Sequence, residues 1–167
     1  MQVRVISISE KKLIGQSLPM SIANDRTPEL WRTFMPRRKE IKNTLSTELF
    51  CLQEYHNPNY FSDFDPSNEF VKWAAAEVST FAEIPKDMKP LTLAGGLYAV
   101  FLHLGPASEG AKSYHYIFGT WLPQSGYVLD NRMHFNLLGE KYKNNAPDSE
   151  EELWIPIRKK GSINKAG

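Results

Sequence analysis

At 167 residues, with a formal net charge of +1, the chain is long enough for one domain with a real core, and its balanced charge leaves no electrostatic footprint for DNA or an acidic membrane. The lone cysteine, Cys51, forms no internal disulfide; flanked by Phe50 and Leu52, it reads as a buried structural thiol. No apolar run approaches the ~20 residues of a membrane helix, and the N-terminus lacks a signal-peptide core, so a soluble, cytoplasmic protein is expected.

Val3 to Ser9 alternates as a strand, and Lys12 to Met20 is a second extended candidate. TPELWRTFMPRR follows as a helix: Thr27 is its candidate cap, Pro28 suits the first helical position, and Pro36 ends or kinks it. The basic run Arg37, Arg38, Lys39 reads as a solvated face. Glu48 to His56 is the next strand. Asn57 to Asn68, crowded with turn residues, reads as a hairpin connection. Glu69 to Ser79 is ambiguous, since its alanines favour helix, but its place in an internal repeat makes it a strand.

After the short linker Ile84 to Pro90 comes the most informative stretch, Gly95 to Tyr127. Leu97 to Leu104 is an apolar and aromatic strand, ended by Gly105 and Pro106. Beyond Ser108, a candidate N-cap, Ala111, Tyr114, Ile117, Phe118, Trp121 and Leu122 recur at helical spacing until Pro123 and Gly126. Asp130 and Asn131 mark a turn. His134 to Tyr142 is expected as a strand, 143–149 as a loop and Glu151 to Arg158 as the last strand.

The two helices share a signature, Thr33-Phe34-Met35-Pro36 in one and Thr120-Trp121-Leu122-Pro123 in the other. A strand follows each, with Leu52 and Glu54 aligned to Leu138 and Glu140. The common offset of about 85 residues is that of an internal duplication of a β-α-β-β unit. The expected organisation is a single domain over residues 1–160, with pseudo-repeat halves at about 1–84 and 91–160 and a frayed tail at 161–167.

The last strand carries the most suggestive chemistry. In ELWIPI, alternation puts Glu152, Trp154 and Pro156 on one face and Leu153, Ile155 and Ile157 on the other. A carboxylate beside an indole suits a cationic or amphipathic ligand; the bland alternative is a rim glutamate continuing the acidic Glu150 and Glu151. Aromatics are plentiful: Trp31, Phe34, Tyr98, Phe101, Tyr114, Phe118, Trp121 and Trp154 sit on the predicted elements. Singly each is ordinary core; together they leave room for an aromatic-lined pocket between the helices. The four histidines show no metal-ligand spacing, and neither a phosphate-binding loop nor a nucleophile-His arrangement is present, so no metal or cofactor is expected.

The segments GGLYAVFLHLGP, YIFGTWLPQSGY, EKY and EELWIPIRK, with ELWRTFMPRRKEI and KWAAAEV earlier, resemble the GyrI-like domain, also called the AraC-type effector-binding domain, over about Lys11 to Lys159. The resemblance implies an α+β fold (GyrI-like or SOUL-like): duplicated β-α-β-β units, an antiparallel sheet, two long helices and a central ligand groove. It implies a small-molecule-binding protein that senses or sequesters a hydrophobic, cationic compound, as effector domains of multidrug-responsive transcription regulators do. The acidic pocket residue of the family matches Glu152. Trp154, Trp121, Tyr98, Trp31, Phe34 and Phe118 are the aromatic candidates. No helix-turn-helix segment accompanies the match, so direct DNA binding is not expected. Two alternatives come with the family: a hydrolase of strained electrophiles using Glu152 and Tyr98, and a gyrase-inhibitor-like interaction protein.

Overall fold

The computed structural model describes residues 1–161. The rest of the expected tail lies outside the described residues. Nine strands form one antiparallel sheet: β1 (Val3–Ile8), β2 (Lys11–Met20), β3 (Leu49–Glu54), β4 (Phe70–Val78), β5 (Lys89–Leu93), β6 (Gly96–Leu104), β7 (Tyr127–Leu129), β8 (His134–Leu138) and β9 (Glu150–Lys159). Their order across the sheet is β1-β6-β9-β8-β3-β4-β2-β5, and β7 pairs with the end of β9. This is the α+β architecture expected from the resemblance. Phe70–Val78 is indeed a strand, and its helix-favouring alanines are buried, Ala74 and Ala76 on the helix side of the sheet and Ala75 on the other.

Helix α1 (Thr27–Phe34) tightens into a 3-10 turn over Met35–Glu40, where Pro36 removes an N–H. Thr27 does not cap it. Arg26 holds the cap position without a side-chain bond, and Asp25 Oδ1 takes the Thr27 N–H at 3.0 Å. Helix α2 (Gly110–Tyr116) passes through a π turn, Ile117–Trp121, into a last turn, α3 (Leu122–Gln124). Nor does Ser108 cap its helix, since the chain enters through a 3-10 turn at Ala107–Glu109 and no cap side chain bonds there. His103 anchors this entry instead. Its Nε2 donates to the Pro106 carbonyl at 2.9 Å, so Nδ1 accepts from the Ser113 hydroxyl at 2.7 Å. Strand β8 stops at Leu138, short of the expected Tyr142, because Gly139 begins a turn closed by the Tyr142 N–H. Among the described residues, no helix is long and apolar enough to cross a membrane.

The two β-α-β-β units (β2-α1-β3-β4 and β6-α2-β8-β9) meet where β3 pairs with β8. Strands β2 and β6 start 85 residues apart, as do β3 and β8. An approximate two-fold axis therefore passes between the facing residues Cys51 and Asn136. The units also trade edges. β1 runs into β2 but pairs with β6, and β5 runs toward β6 but pairs with β2.

Both faces of the sheet are buried. On the helix side, Leu30 and Phe34 of α1 cover Ile14, Leu49, Ala74 and Ala76, while Ile117 covers Ala99, Phe101, Leu153, Ile155 and Ile157. On the far side, Phe50, Leu52, Trp73, Tyr98, Val100, Phe135 and Trp154 pack on one another. Gly15 in β2 is where two backbones come closest: a Cβ there would lie 2.0 Å from the Ala74 carbonyl oxygen and 2.7 Å from Ala75 Cα. Gly15→Ala should therefore destabilise the fold by at least about 2 kcal/mol, read as a lower urea midpoint at unchanged slope.

Candidate ligand-binding site

The two helices lie over different units, and between them the sheet is left open along the β3–β8 ladder. This gap is a cleft of about 1480 Å³. Typical ligand pockets occupy roughly 300–1000 Å³, so it admits a large molecule or a smaller one with water. Leu49, Cys51 and Gln53 of β3 and His134, Asn136 and Leu138 of β8 form its floor. The walls are Thr27, Pro28, Trp31 and Met35 of the first helical segment and Ala111, Tyr114 and Phe118 of the second. Trp31 and Phe118 both face the cleft, one from each unit. Phe118 is delivered by the π turn, which shifts the register of the helix at the site.

Polar groups converge on Asn136 at the middle of the floor, with Glu151 toward one end. Asn136 Nδ2 donates to Glu151 Oε2 at 3.0 Å, and Asn136 Oδ1 accepts from the Tyr114 hydroxyl at 3.2 Å and from Gln53 Nε2 at 3.4 Å. The amide is fixed in this sense because its nitrogen must face the carboxylate. Glu151 is only 9% exposed and forms no ion pair among the described residues. At the other end, Lys72 Nζ donates to the Thr27 hydroxyl at 2.7 Å. Burial pushes the Tyr114 hydroxyl far above its ordinary value, so it stays protonated and a donor. Burial also raises the Cys51 thiol, with the Lys72 ammonium pulling weakly the other way.

The segment Asn57 to Asn68 is more than a connection. Tyr60 is buried against Tyr55 and Phe70, and Phe61 stacks on Phe118 at 5.5 Å and on His134 at 5.1 Å. With Phe64 these rings close one mouth of the cleft, so a loop of the first unit rests on a helix of the second. Burial first, and the Arg132 charge second, depress the His134 pKa to about 3, so its imidazole is neutral.

Of the residues picked out by sequence, Trp31, Tyr114 and Phe118 line this cleft; Glu152, Trp154, Tyr98, Phe34 and Trp121 do not meet there. Glu152, Trp154 and Tyr98 point through the opposite face. The Glu152 carboxylate does sit beside an indole, accepting from Trp154 Nε1 at 3.2 Å, but Arg4 pairs with its other oxygen at 2.8 Å. Tyr98 is fully buried, donates to the Met133 carbonyl at 2.8 Å and lies under the Arg132 guanidinium, and its pKa is pushed up to about 12 by burial. The sheet pairs Tyr98 with Pro156 and Glu152 with Leu102, so an acid-base pair of Glu152 and Tyr98 would span four rungs of the ladder. Phe34 is core beneath α1, and Trp121 packs on Phe101 and Tyr127.

The carboxylate that faces the cleft is that of Glu151, one residue before Glu152. Alternation set Glu152 beside Trp154 and left Glu151 as part of an acidic run, whereas both faces of β9 are buried and the helix side is the one that opens into the cleft. The repeat alignment has the same fault: Leu138 lines the cleft, whereas Leu52 points away from it. Tyr55, Tyr60, Phe61, Phe64, His134, Asn136 and Glu151 were not singled out. The signal for three of them was the occurrence of Tyr60, Phe61 and Phe64 in a segment otherwise made of turn residues.

The family of GyrI-like small molecule binding domains matches residues 1–158. The transcriptional regulator BrlR of Pseudomonas aeruginosa is 26% identical over 161 residues, which is 94% of this chain and 56% of the regulator. The chain thus spans little more than half of that relative. Among solved structures, the C-terminal domain of EcmrR superposes with a TM-score of 0.66 at 17% identity, covering 95% of this chain and 98% of the other. SAV2435, solved with tetraphenylphosphonium bound, gives 0.65 at 15% identity and covers 95% and 94%.

Because His134 is buried neutral, it protonates in the unfolded chain near pH 6.5 but in the folded one only near pH 3. Stability is full above pH 6.5 and falls as pH drops below it, by about 1 kcal/mol per unit from this residue. His134→Phe should flatten that slope in denaturant melts run between pH 7.5 and about 5, while a wild-type slope in the variant would place the proton uptake elsewhere.

Proposed function

We propose, for a chain that belongs to the family of GyrI-like small molecule binding domains, that the cleft captures a largely apolar molecule bearing a cationic group, and that the protein senses or sequesters it. The observation that carries this reading is Glu151, a buried carboxylate held by Asn136 but matched by no cation among the described residues. A buried charge without a counter-charge is costly, and a cationic ligand supplies the missing partner. The rings of Trp31, Tyr55, Tyr114, Phe61 and Phe118 add electron-rich faces and apolar area.

Two relationships support the class of ligand. The chain resembles part of a transcriptional regulator, and a protein of the same fold holds tetraphenylphosphonium, a lipophilic cation. Charge that is met deep in an apolar cleft discriminates between cations and neutral analogues of the same shape. Aromatic walls, by contrast, tolerate variety.

Tetraphenylphosphonium, followed by quenching of tryptophan fluorescence, tests both the site and its register. Glu151→Gln should weaken binding about tenfold, a loss of roughly 1.4 kcal/mol, while Glu152→Gln leaves it within about twofold. An equal loss in Glu152→Gln would move the contact to the other face of the sheet and defeat this assignment.

A further inference from the structure

The approximate two-fold axis relates the ends of the cleft to each other, and their charges are opposite. Turning about the Cys51–Asn136 pair carries Leu52 onto Leu137. Leu52 faces Trp73 and Leu137 faces Glu152, so Trp73 is carried onto Glu152, and Lys72 falls on Glu151. Both side chains line the cleft, on the same face of the sheet and at matching distances from its centre. Their Cα atoms lie on the order of 20 Å apart, across three strand spacings and about four residues of register.

Neither charge has an ion-pair partner among the described residues, though the Asp25 carboxylate, one hydrogen bond beyond Lys72 on the Thr27 hydroxyl, attracts its ammonium at longer range. Lys72 has no carboxylate within bonding distance among the described residues: its ammonium bonds the Thr27 hydroxyl, which turns on to Asp25, and it lies 5.8 Å from the centre of the Phe70 ring. Among the described residues, one of its three protons is hydrogen-bonded, to the Thr27 hydroxyl. Arg38, the other cation at the rim from α1's extension, is tied to the Thr47 carbonyl. A purely cationic ligand would therefore meet attraction at Glu151 and repulsion at Lys72.

We infer that the cleft recognises a bipolar ligand, an extended aromatic or apolar molecule with a protonated amine at one end, held by Glu151, and an acidic group at the other, held by Lys72. This rests on the ligand-binding reading above and adds the second pole to it. The apolar middle lies over Cys51 and between Trp31 and Phe118, where the floor carries no charge.

The test uses a rigid aminomethyl-biphenyl carboxylic acid with its charges at the two para ends, and the methyl ester of the same compound, titrated calorimetrically into the full chain. The acid should bind about tenfold tighter than the ester to the wild type, as a charge-assisted bond to an ammonium implies. Lys72→Met should bring the two affinities together by weakening the acid alone, and Lys72→Arg should keep the preference, which separates a lost contact from a damaged fold. Equal affinities in the wild type, or a preference that survives Lys72→Met, overturn the inference. If the ester still binds and Glu151→Gln weakens both compounds, the cationic-ligand reading stands without its second pole. If neither compound binds, both fall.

Discussion

Five facing pairs between β3 and β8, Leu49–Leu138 to Gln53–His134, are the constraint on which the molecule depends. They join two units that each carry a helix on one side of a four-stranded half-sheet. Because the helices follow their own units, the ladder between them is left uncovered, and the cleft exists for that reason. An antiparallel pair has residues that alternate between faces in step, so Cys51, Gln53, His134 and Asn136 all reach the cleft together. The same rule sends Phe50, Leu52 and Phe135 to the far side, where Phe135 lies 5.0 Å from Trp154 in a stacked pair. Floor and foundation are thus fixed by one register.

The symmetry of the two units is broken along the cleft between them. Equivalent positions hold Trp31 and Phe118 on the walls and Cys51 and Asn136 at the centre, similar in volume but different in what they can bond. The polar network built on Asn136 has no counterpart at Cys51, whose buried thiol offers little as a donor. A cleft assembled from two copies of one motif has in this way acquired two chemically distinct ends.

Much of the fold was legible in the sequence. The helical stripe from Ala111 to Leu122, the proline stops and the repeat of about 85 residues were all patterns with a physical cause, and the strand at Phe70–Val78 was recovered only because the repeat overruled its alanines. Of the cleft, the wall aromatics Trp31, Tyr114 and Phe118 were legible in the sequence, and the carboxylate that faces it was not. Strand periodicity states which residues share a face, as with Glu152 and Trp154, yet it cannot say which face meets solvent when both are apolar. The loop aromatics failed differently. Turn chemistry dominated the segment from Asn57 to Asn68, and what Tyr60 and Phe61 contact, Tyr55, His134 and Phe118, is brought to them by distant parts of the chain.

The traded edge strands bear on how the protein comes off the ribosome. β1 precedes its partner β6, which ends at Leu104, by roughly a hundred residues, so Val3–Ile8 stays an unpaired edge while all of that intervening chain is synthesised. β2 likewise waits for β5 to cover its outer side. Neither unit can complete its sheet from its own residues, and long-range pairing of this kind is slow to form. For a nascent chain translated at about 5–20 residues per second, the interval is several seconds, during which exposed strand edges are open to misplaced pairing. The connectivity thus leaves strand edges unpaired during synthesis, independently of how stable the finished sheet becomes.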